Sequence, residues 1–419
     1  MIPPDPHVLV VTGPGLVADL RLLTEVADRE FAVLGVSGEL SSAPDLPAFR
    51  AALESPGVLV VLPGPDPRAR VLRAERPDAV WLDVTRPRTP LPAFPPGPAG
   101  ADGPVGPVGT VGPVGAYLHG RGVWGLTWAI RHAVHRSRHP ARRVAYGDHP
   151  DQWADVRPPR AAQEPPAGTA ATGTAPGTPP TGTTSAGTVA GGTPPAGPGP
   201  SGGAGPVPVA VLLHGGFWRP VWGADLMDAL AVDLAGRGFA TWNVEYRRPD
   251  PHGWAATTRD VARAVAAAAR EAAGPLVVIG HSAGGQLALR AAADDHRITL
   301  AVSLAGVLDL AEGDRRHMSS GAVATALGGS VTEIPEVYAH SGPLERLPLG
   351  VPQLIVQGGG DDLDLVDFGR RYARAAREAG DEVTYLEMSG DHFDVIDPAS
   401  PIWRATAGAV ADVVATRPA

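Results

Sequence analysis

Leu276-Val277-Val278-Ile279-Gly280-His281-Ser282-Ala283-Gly284-Gly285-Gln286-Leu287-Ala288-Leu289 is the stretch on which the reading of the whole chain turns. Four apolar residues form a strand short enough to be buried, and the run from Gln286 favours a helix. Between them, small residues flank Ser282. They allow the sharp, strained strand-to-helix turn that lifts a serine hydroxyl to the edge of a sheet, the nucleophile elbow. The same Gly-x-Ser-x-Gly spacing recurs at Gly199-Pro200-Ser201-Gly202-Gly203. Ser201 has no strand before it and no helix after it, so context rather than pattern selects Ser282.

Upstream, His214-Gly215-Gly216-Phe217-Trp218 ends the strand Val209-Ala210-Val211-Leu212-Leu213. Glycines there let backbone N–H groups approach a developing oxyanion, and the expected donors are Gly216, Phe217 and Ala283. His214 is read as a structural hydrogen-bonding residue of this loop. Trp218 and Trp222 are candidate walls of a substrate pocket. Downstream, the strand ending at Gln357 leads through Gly358-Gly359-Gly360 into Asp361, Asp362 and Asp364. Asp361 is the preferred acid because it comes first after the glycine turn, while its neighbours suit solvation or helix capping; Asp309, after the preceding strand, is a further alternative. Gly390-Asp391-His392-Phe393 follows the last strand, so His392 lies in a loop able to reach the serine and accept its proton. His132, His135 and His139 lie on or just after a basic amphipathic segment and are read as solvated.

The rest of the chain repeats the strand–helix alternation that implies parallel α/β layers. Strands are expected at 8–13, 31–38, 57–64 and 79–84, with helices near 17–29 and 125–136, and the pattern is stronger after residue 207. We divide the chain into a smaller parallel α/β domain over 1–142 and a doubly wound α/β domain over 143–419. Two segments interrupt them. Glycine recurs at every third position from Gly97 to Gly115, read as a loop insertion at 95–115, and residues 161–206 contain almost only Ala, Gly, Pro, Thr and Ser, too little apolar surface to offset chain entropy.

Composition narrows the function. The 419 residues contain no cysteine and carry a net charge of −9, and all 35 basic residues are arginine. Disulfides and sulfur metal sites are therefore absent, which is compatible with a cytoplasmic protein. Scattered arginines form no basic stripe, so nucleic acid is not expected as a partner. Nothing approaches the roughly 18 consecutive apolar residues of a membrane span. No pattern implies a metal, a cofactor or a particular oligomeric state.

At His214 to Trp218, Glu245-Tyr246-Arg247, Gly280 to Gly285 and Gly390 to Pro398, the chain resembles the kynurenine formamidase and small-carboxylesterase branch of the α/β-hydrolases. Residues 146–159 look like the leading segment and first strand of the same domain, which makes 161–206 an insertion into it. The resemblance implies a metal-free serine hydrolase with Ser282, Asp361 and His392 as triad, acting on a small ester or aryl formamide through an acyl-enzyme. Gln357 departs from it, since the family often has histidine there. Residues 10–16 and 120–134 resemble the opening turn and closing helix of type II dehydroquinase, a flavodoxin-like fold, without the tyrosine and histidines that family uses. The first domain is accordingly expected to be a catalytically silent relative, with residual lyase activity as the alternative. The competing reading for the second domain is a binding module on a hydrolase fold, for which an intact serine, acid and histidine set would be superfluous.

Deleting residues 165–203 is expected to leave the melting temperature nearly unchanged, because closure entropy grows slowly with loop length. A collapse in soluble yield would identify the segment as structural.

Overall fold

The computed structural model describes residues 6–84, 109–110, 116–160 and 206–417. The sequence-expected insertions at 95–115 and 161–206 lie outside the described residues except for positions 109–110 and 206. Strand β1 (His7–Thr12) turns Val8 and Val10 into one apolar cluster and Leu9 and Val11 into another. Burial on both faces is why it reads as an unbroken apolar run. Strands β2 (Ser37–Ser42), β3 (Val58–Leu62), β4 (Val80–Asp83) and β6 (Ala116–His119) join it in one parallel sheet, in the order β2-β1-β3-β4-β6. Strand β5 (Gly109–Thr110) belongs to another sheet, so the five follow the flavodoxin-like order 2-1-3-4-5.

One element differs from expectation. Phe31 to Leu34, read as the start of a strand, is the last turn of the helix Leu20–Leu34. Phe31 continues the buried helical stripe of Leu23 and Ala27, and Gly35 then ends the helix in the left-handed conformation at φ 60°. The strand that follows, Ser-Gly-Glu-Leu-Ser-Ser, is a mostly polar sheet edge with no apolar signature.

The second sheet has nine strands in the order β14-β13-β12-β11-β9-β10-β8-β7-β5. Its members beyond β5 are β7 (Arg142–Ala145), β8 (Trp153–Arg157), β9 (Val209–Leu213), β10 (Ala240–Val244), β11 (Leu276–His281), β12 (Ile298–Leu304), β13 (Gln353–Gly358) and β14 (Val383–Met388). Strands β9 to β14 run parallel, while β8, β7 and β5 are successively antiparallel. In β9, Val209, Val211 and Leu213 face one core and Ala210 and Leu212 the other. Strands β7 and β8 precede residue 161 yet pair into this sheet, as the resemblance at 146–159 implies. Gly109 and Thr110 also pair with β7, so part of the segment assigned to the first domain extends the second sheet.

From β9 the chain steps outward to β10 and then crosses back to place β11 on β9's other side. That reversal opens a crevice at the carboxyl ends of β9 and β11, where doubly wound sheets bind ligands. Among the described residues, no helix is long and apolar enough to cross a membrane.

The helix Gly125–Arg138 joins the two sheets. Leu126, Ala129, Ile130 and Ala133 face the first domain's core, whereas Trp128 enters the second domain's core beside Leu226, Leu230 and Trp403. His132 is not solvated as expected: it is buried on this second face against Asp228. Burial also pushes His135, one turn on, down to about 4. Arg121 completes the seam. Its Nη1 and Nη2 donate to Asp225 at 2.5 and 2.8 Å, its Nε donates to the Val221 carbonyl at 2.7 Å, and its guanidinium lies over the Trp222 ring.

Arg121→Ala is expected to cost about 3–5 kcal/mol in denaturant unfolding, because it leaves the Asp225 carboxylate buried without its cation. Adding Asp225→Ala should recover part of that loss; strict additivity of the two changes would show that the pair does not interact.

Candidate active site

Ser282 follows β11 directly and sits at the N-cap of the twelve-residue helix Ala283–Asp294 with φ 55° and ψ −119°. A positive φ costs a residue with a side chain about 1–3 kcal/mol and persists only where its surroundings enforce it. The enforcement is steric. A Cβ on Gly280 would stand 1.9 Å from the Gly284 carbonyl oxygen, and one on Gly284 would stand 2.2 Å from the Leu213 oxygen. The backbone is thus packed too tightly on both sides for any other residue. Ser282 N–H donates to the Leu304 carbonyl at 2.8 Å, tying the turn to the neighbouring strand.

The loop after β9 lies directly against this turn. A Cβ at Gly215 would come within 2.8 Å of the Ser282 Cβ. Gly216, Phe217 and Trp218 then have φ of 111°, 50° and 56°, three consecutive left-handed residues. Among the described residues, no acceptor takes the N–H of Gly216, Phe217 or Ala283. Three backbone donors beside a serine are what a developing oxyanion requires.

His214 plays the structural part expected of it. It is fully buried, stacks on Tyr246 at 4.4 Å, and donates from Nδ1 to the Gly215 carbonyl at 2.8 Å. Tyr246 in turn donates its hydroxyl to the His214 carbonyl at 2.7 Å. Glu245 lies 3.4 Å from His214 Nε2 and 2.5 Å from Arg248. Burial opposes its ionisation, but the Arg248 guanidinium and the Ala224 N–H outweigh that and hold its carboxyl well below the usual range. Arg248 also donates to the Trp222 carbonyl at 2.6 Å. The Glu245-Tyr246-Arg247 stretch and its neighbour therefore brace the loop from beneath.

His392 Nδ1 donates to Asp361 Oδ2 at 2.9 Å. Asp361 receives two further bonds, from Gln357 Nε2 at 2.9 Å and from the Asp362 N–H at 2.7 Å. The rival acids are engaged elsewhere. Asp362 caps the helix Leu363–Glu378 through the Asp364 N–H, Asp364 pairs with Arg316, and the buried Asp309 caps another helix and meets Arg371. Ser282 Oγ makes no hydrogen bond among the described residues; the structure joins acid to histidine directly, and the ring of His281, the residue before the serine, lies 4.7 Å from the His392 ring.

Sequence reasoning missed the residue that links the two halves. His281 is buried, its ring lies 4.7 Å from the His392 ring, and its Nε2 donates to the His392 carbonyl at 2.9 Å. Burial first, and His392 second, hold His281 well below the ordinary histidine range, so it serves as a neutral donor. Its place inside the elbow motif was visible, but its partner lies 111 residues away. Trp218 does not wall a pocket as expected: at 1% exposure it donates to Gln286 Oε1 and packs edge-on against Trp254, anchoring the loop. Trp222 is only partly buried and stands among Trp124, Trp128 and Phe393.

Comparison with known proteins agrees with this architecture. Residues 210–396 match the profile of a family described as alpha/beta hydrolase fold. The chain is 25% identical over 223 residues to esterase LipC of Mycobacterium tuberculosis (strain ATCC 25618 / H37Rv), covering 46% of this chain and 55% of that protein. It thus spans about half the length of this curated relative. Among solved structures, a putative thioesterase from Silicibacter sp. tm1040 is similar at 21% identity, with 69% of this chain and 91% of that one covered and a TM-score of 0.46. A bacterial heroin esterase is similar at 23% identity, with 50% and 75% covered and a TM-score of 0.42. The C-terminal part has the α/β-hydrolase fold.

Gly215→Ala is expected to destabilise the chain by about 1–3 kcal/mol, because the added methyl must displace the serine turn. Gly236→Ala, at an exposed helix end where a Cβ meets nothing within 4 Å, should be neutral or stabilising by up to about 1 kcal/mol. Parallel urea titrations of the two variants check the contrast.

Proposed function

We propose that the chain hydrolyses a small carboxylic ester through an acyl-enzyme on Ser282. The observation that carries the reading is the His392–Asp361 bond, with His392 tied through His281 to the strained elbow that holds Ser282. Because the carboxylate can only accept, Nδ1 holds a proton, and in the neutral imidazole the mechanism uses Nε2 keeps its lone pair. In the proposed reaction Ser282 Oγ attacks the ester carbonyl carbon as Nε2 takes the hydroxyl proton. The carbonyl π electrons move to oxygen, where the N–H groups of Gly216, Phe217 and Ala283 would receive the charge. Collapse expels the alkoxide, which takes the proton from the imidazolium, and a water repeats the sequence to release the acid and free the serine. Asp361 fixes the imidazole tautomer throughout, and Gln357 orients Asp361. The step requires no metal or cofactor.

The name of the LipC relative favours an ester over a formamide, although the same donors and nucleophile would serve an aryl formamide as well. For the N-terminal domain we propose no lyase chemistry. The second face of its closing helix is committed to the hydrolase part through Trp128 and His132.

Ser282→Ala should lower turnover of p-nitrophenyl acetate by on the order of 10³-fold or more and abolish fluorophosphonate labelling. Asp361→Asn should lower kcat by on the order of 10⁴-fold, while Asp362→Asn and Asp364→Asn cost little. Full activity in Ser282→Ala would refute the mechanism. An inactive Asp362→Asn or Asp364→Asn beside an active Asp361→Asn would move the acid.

A further inference from the structure

Three separate parts of the chain supply the aromatic rings beside the candidate site. Phe393 follows His392 directly, and the two rings stand 5.4 Å apart, nearly perpendicular. Trp222 covers the oxyanion loop: a Cβ at Gly216 would come within 2.5 Å of the Trp222 Cβ. Trp124 comes from the N-terminal domain, immediately before the helix Gly125–Arg138. Its ring meets Phe393 at 5.2 Å and Trp222 at 5.4 Å, edge-on in both cases. It therefore bridges the loop carrying the base and the loop carrying the oxyanion donors.

Packing alone does not account for Trp124. It belongs to neither apolar cluster of its own domain, and it is 48% exposed, whereas Trp128 one turn later is 7% exposed and fills the core. A tryptophan held by aromatic neighbours with half its surface in water presents an apolar face to whatever enters. Exposed apolar faces grouped in this way mark ligand contact. The side of the ester follows from proton transfer: the leaving oxygen must come within hydrogen-bond reach of His392 Nε2, so a wall built on Phe393 and its neighbours adjoins the leaving alcohol.

We propose that Trp124 is a specificity-determining residue, forming with Trp222 and Phe393 the wall that receives an aromatic or otherwise apolar leaving alcohol. The proposal rests on the reading of Ser282 as nucleophile. It makes the N-terminal domain a contributor to the substrate site, lending one side chain across the seam fixed by Arg121, Asp225, His132 and Asp228.

The test uses the full chain carrying Trp124→Ala or Trp124→Phe, assayed on 2-naphthyl acetate, ethyl acetate and ethyl octanoate, together with calorimetric binding of 2-naphthol. In Trp124→Ala, kcat/KM for 2-naphthyl acetate relative to ethyl acetate should fall about tenfold. The ethyl octanoate to ethyl acetate ratio should stay unchanged, 2-naphthol should bind correspondingly more weakly, and Trp124→Phe should restore most of both losses. An unchanged naphthyl preference with unchanged 2-naphthol affinity would overturn the proposal. So would a change confined to oligomeric state on size exclusion, which would assign the exposed ring to a second copy of the chain. Should no ester be turned over by the wild type, the reading of Ser282 fails by itself, and the 2-naphthol affinities of wild type and variant still decide whether Trp124 forms an apolar wall.

Discussion

The backbone of Ser282 sits at a φ that an L-residue avoids, and the close contacts around it are what keep it there. Gly280 touches Gly284, Gly284 touches the end of β9, and Gly215 touches the serine Cβ, all at separations that exclude any side chain. Strands β9 and β11 are adjacent in the sheet, so the loop of one and the elbow of the other are forced into van der Waals contact as soon as the sheet forms. The loop after β9 and the turn at Ser282 are therefore registered first by strand pairing, with the Trp218–Gln286 bond added to it.

Around this contact the polar residues serve to hold loops in place. Burying a carboxylate such as Glu245 is costly unless it is paired and hydrogen-bonded. Here it meets Arg248, lies beside His214 and accepts the Ala224 N–H, so the charge becomes a brace beneath three consecutive left-handed residues. His281 does the same for the loop of His392, holding its backbone from the elbow side. Both histidines are kept neutral by burial, which leaves each ring with one N–H, and each spends it on a loop carbonyl. Motifs with two histidines near a serine invite several assignments of the base. The hydrogen-bond partners separate them, since of His214, His281 and His392 only His392 meets a carboxylate through Nδ1.

The seam between the two sheets has the character of a core. One helix carries apolar residues for the first domain on one stripe, and Trp128 and His132 for the second domain on the other. With Arg121 and Asp225 both almost fully buried, separating the domains would expose an ion pair's two desolvated halves and the Trp128 ring together. The rigidity this implies is what allows a residue of one domain to serve a site in the other.

Much of this protein was legible in its residues. Local apolar runs and small-residue turns determined the strand–elbow–helix unit at Ser282, the glycine loop after β9 and the acid and histidine that follow later strands, because each is specified by neighbours within a few positions. The pairing of Asp361 with His392 was therefore readable. Where local signals were ambiguous the reading slipped, as at Phe31 to Leu34, where an apolar tetrad suits a helix stripe as well as a strand. The residues whose roles depend on distant partners were decided only in three dimensions: Trp218 turned inward to Gln286, His132 buried against Asp228, Gln357 supporting Asp361, His281 bonded to His392, and Trp124 set between Trp222 and Phe393. A sequence records which side chains are present and their local periodicity, whereas contact between residues a hundred positions apart exists only once the two sheets and their shared helix have packed.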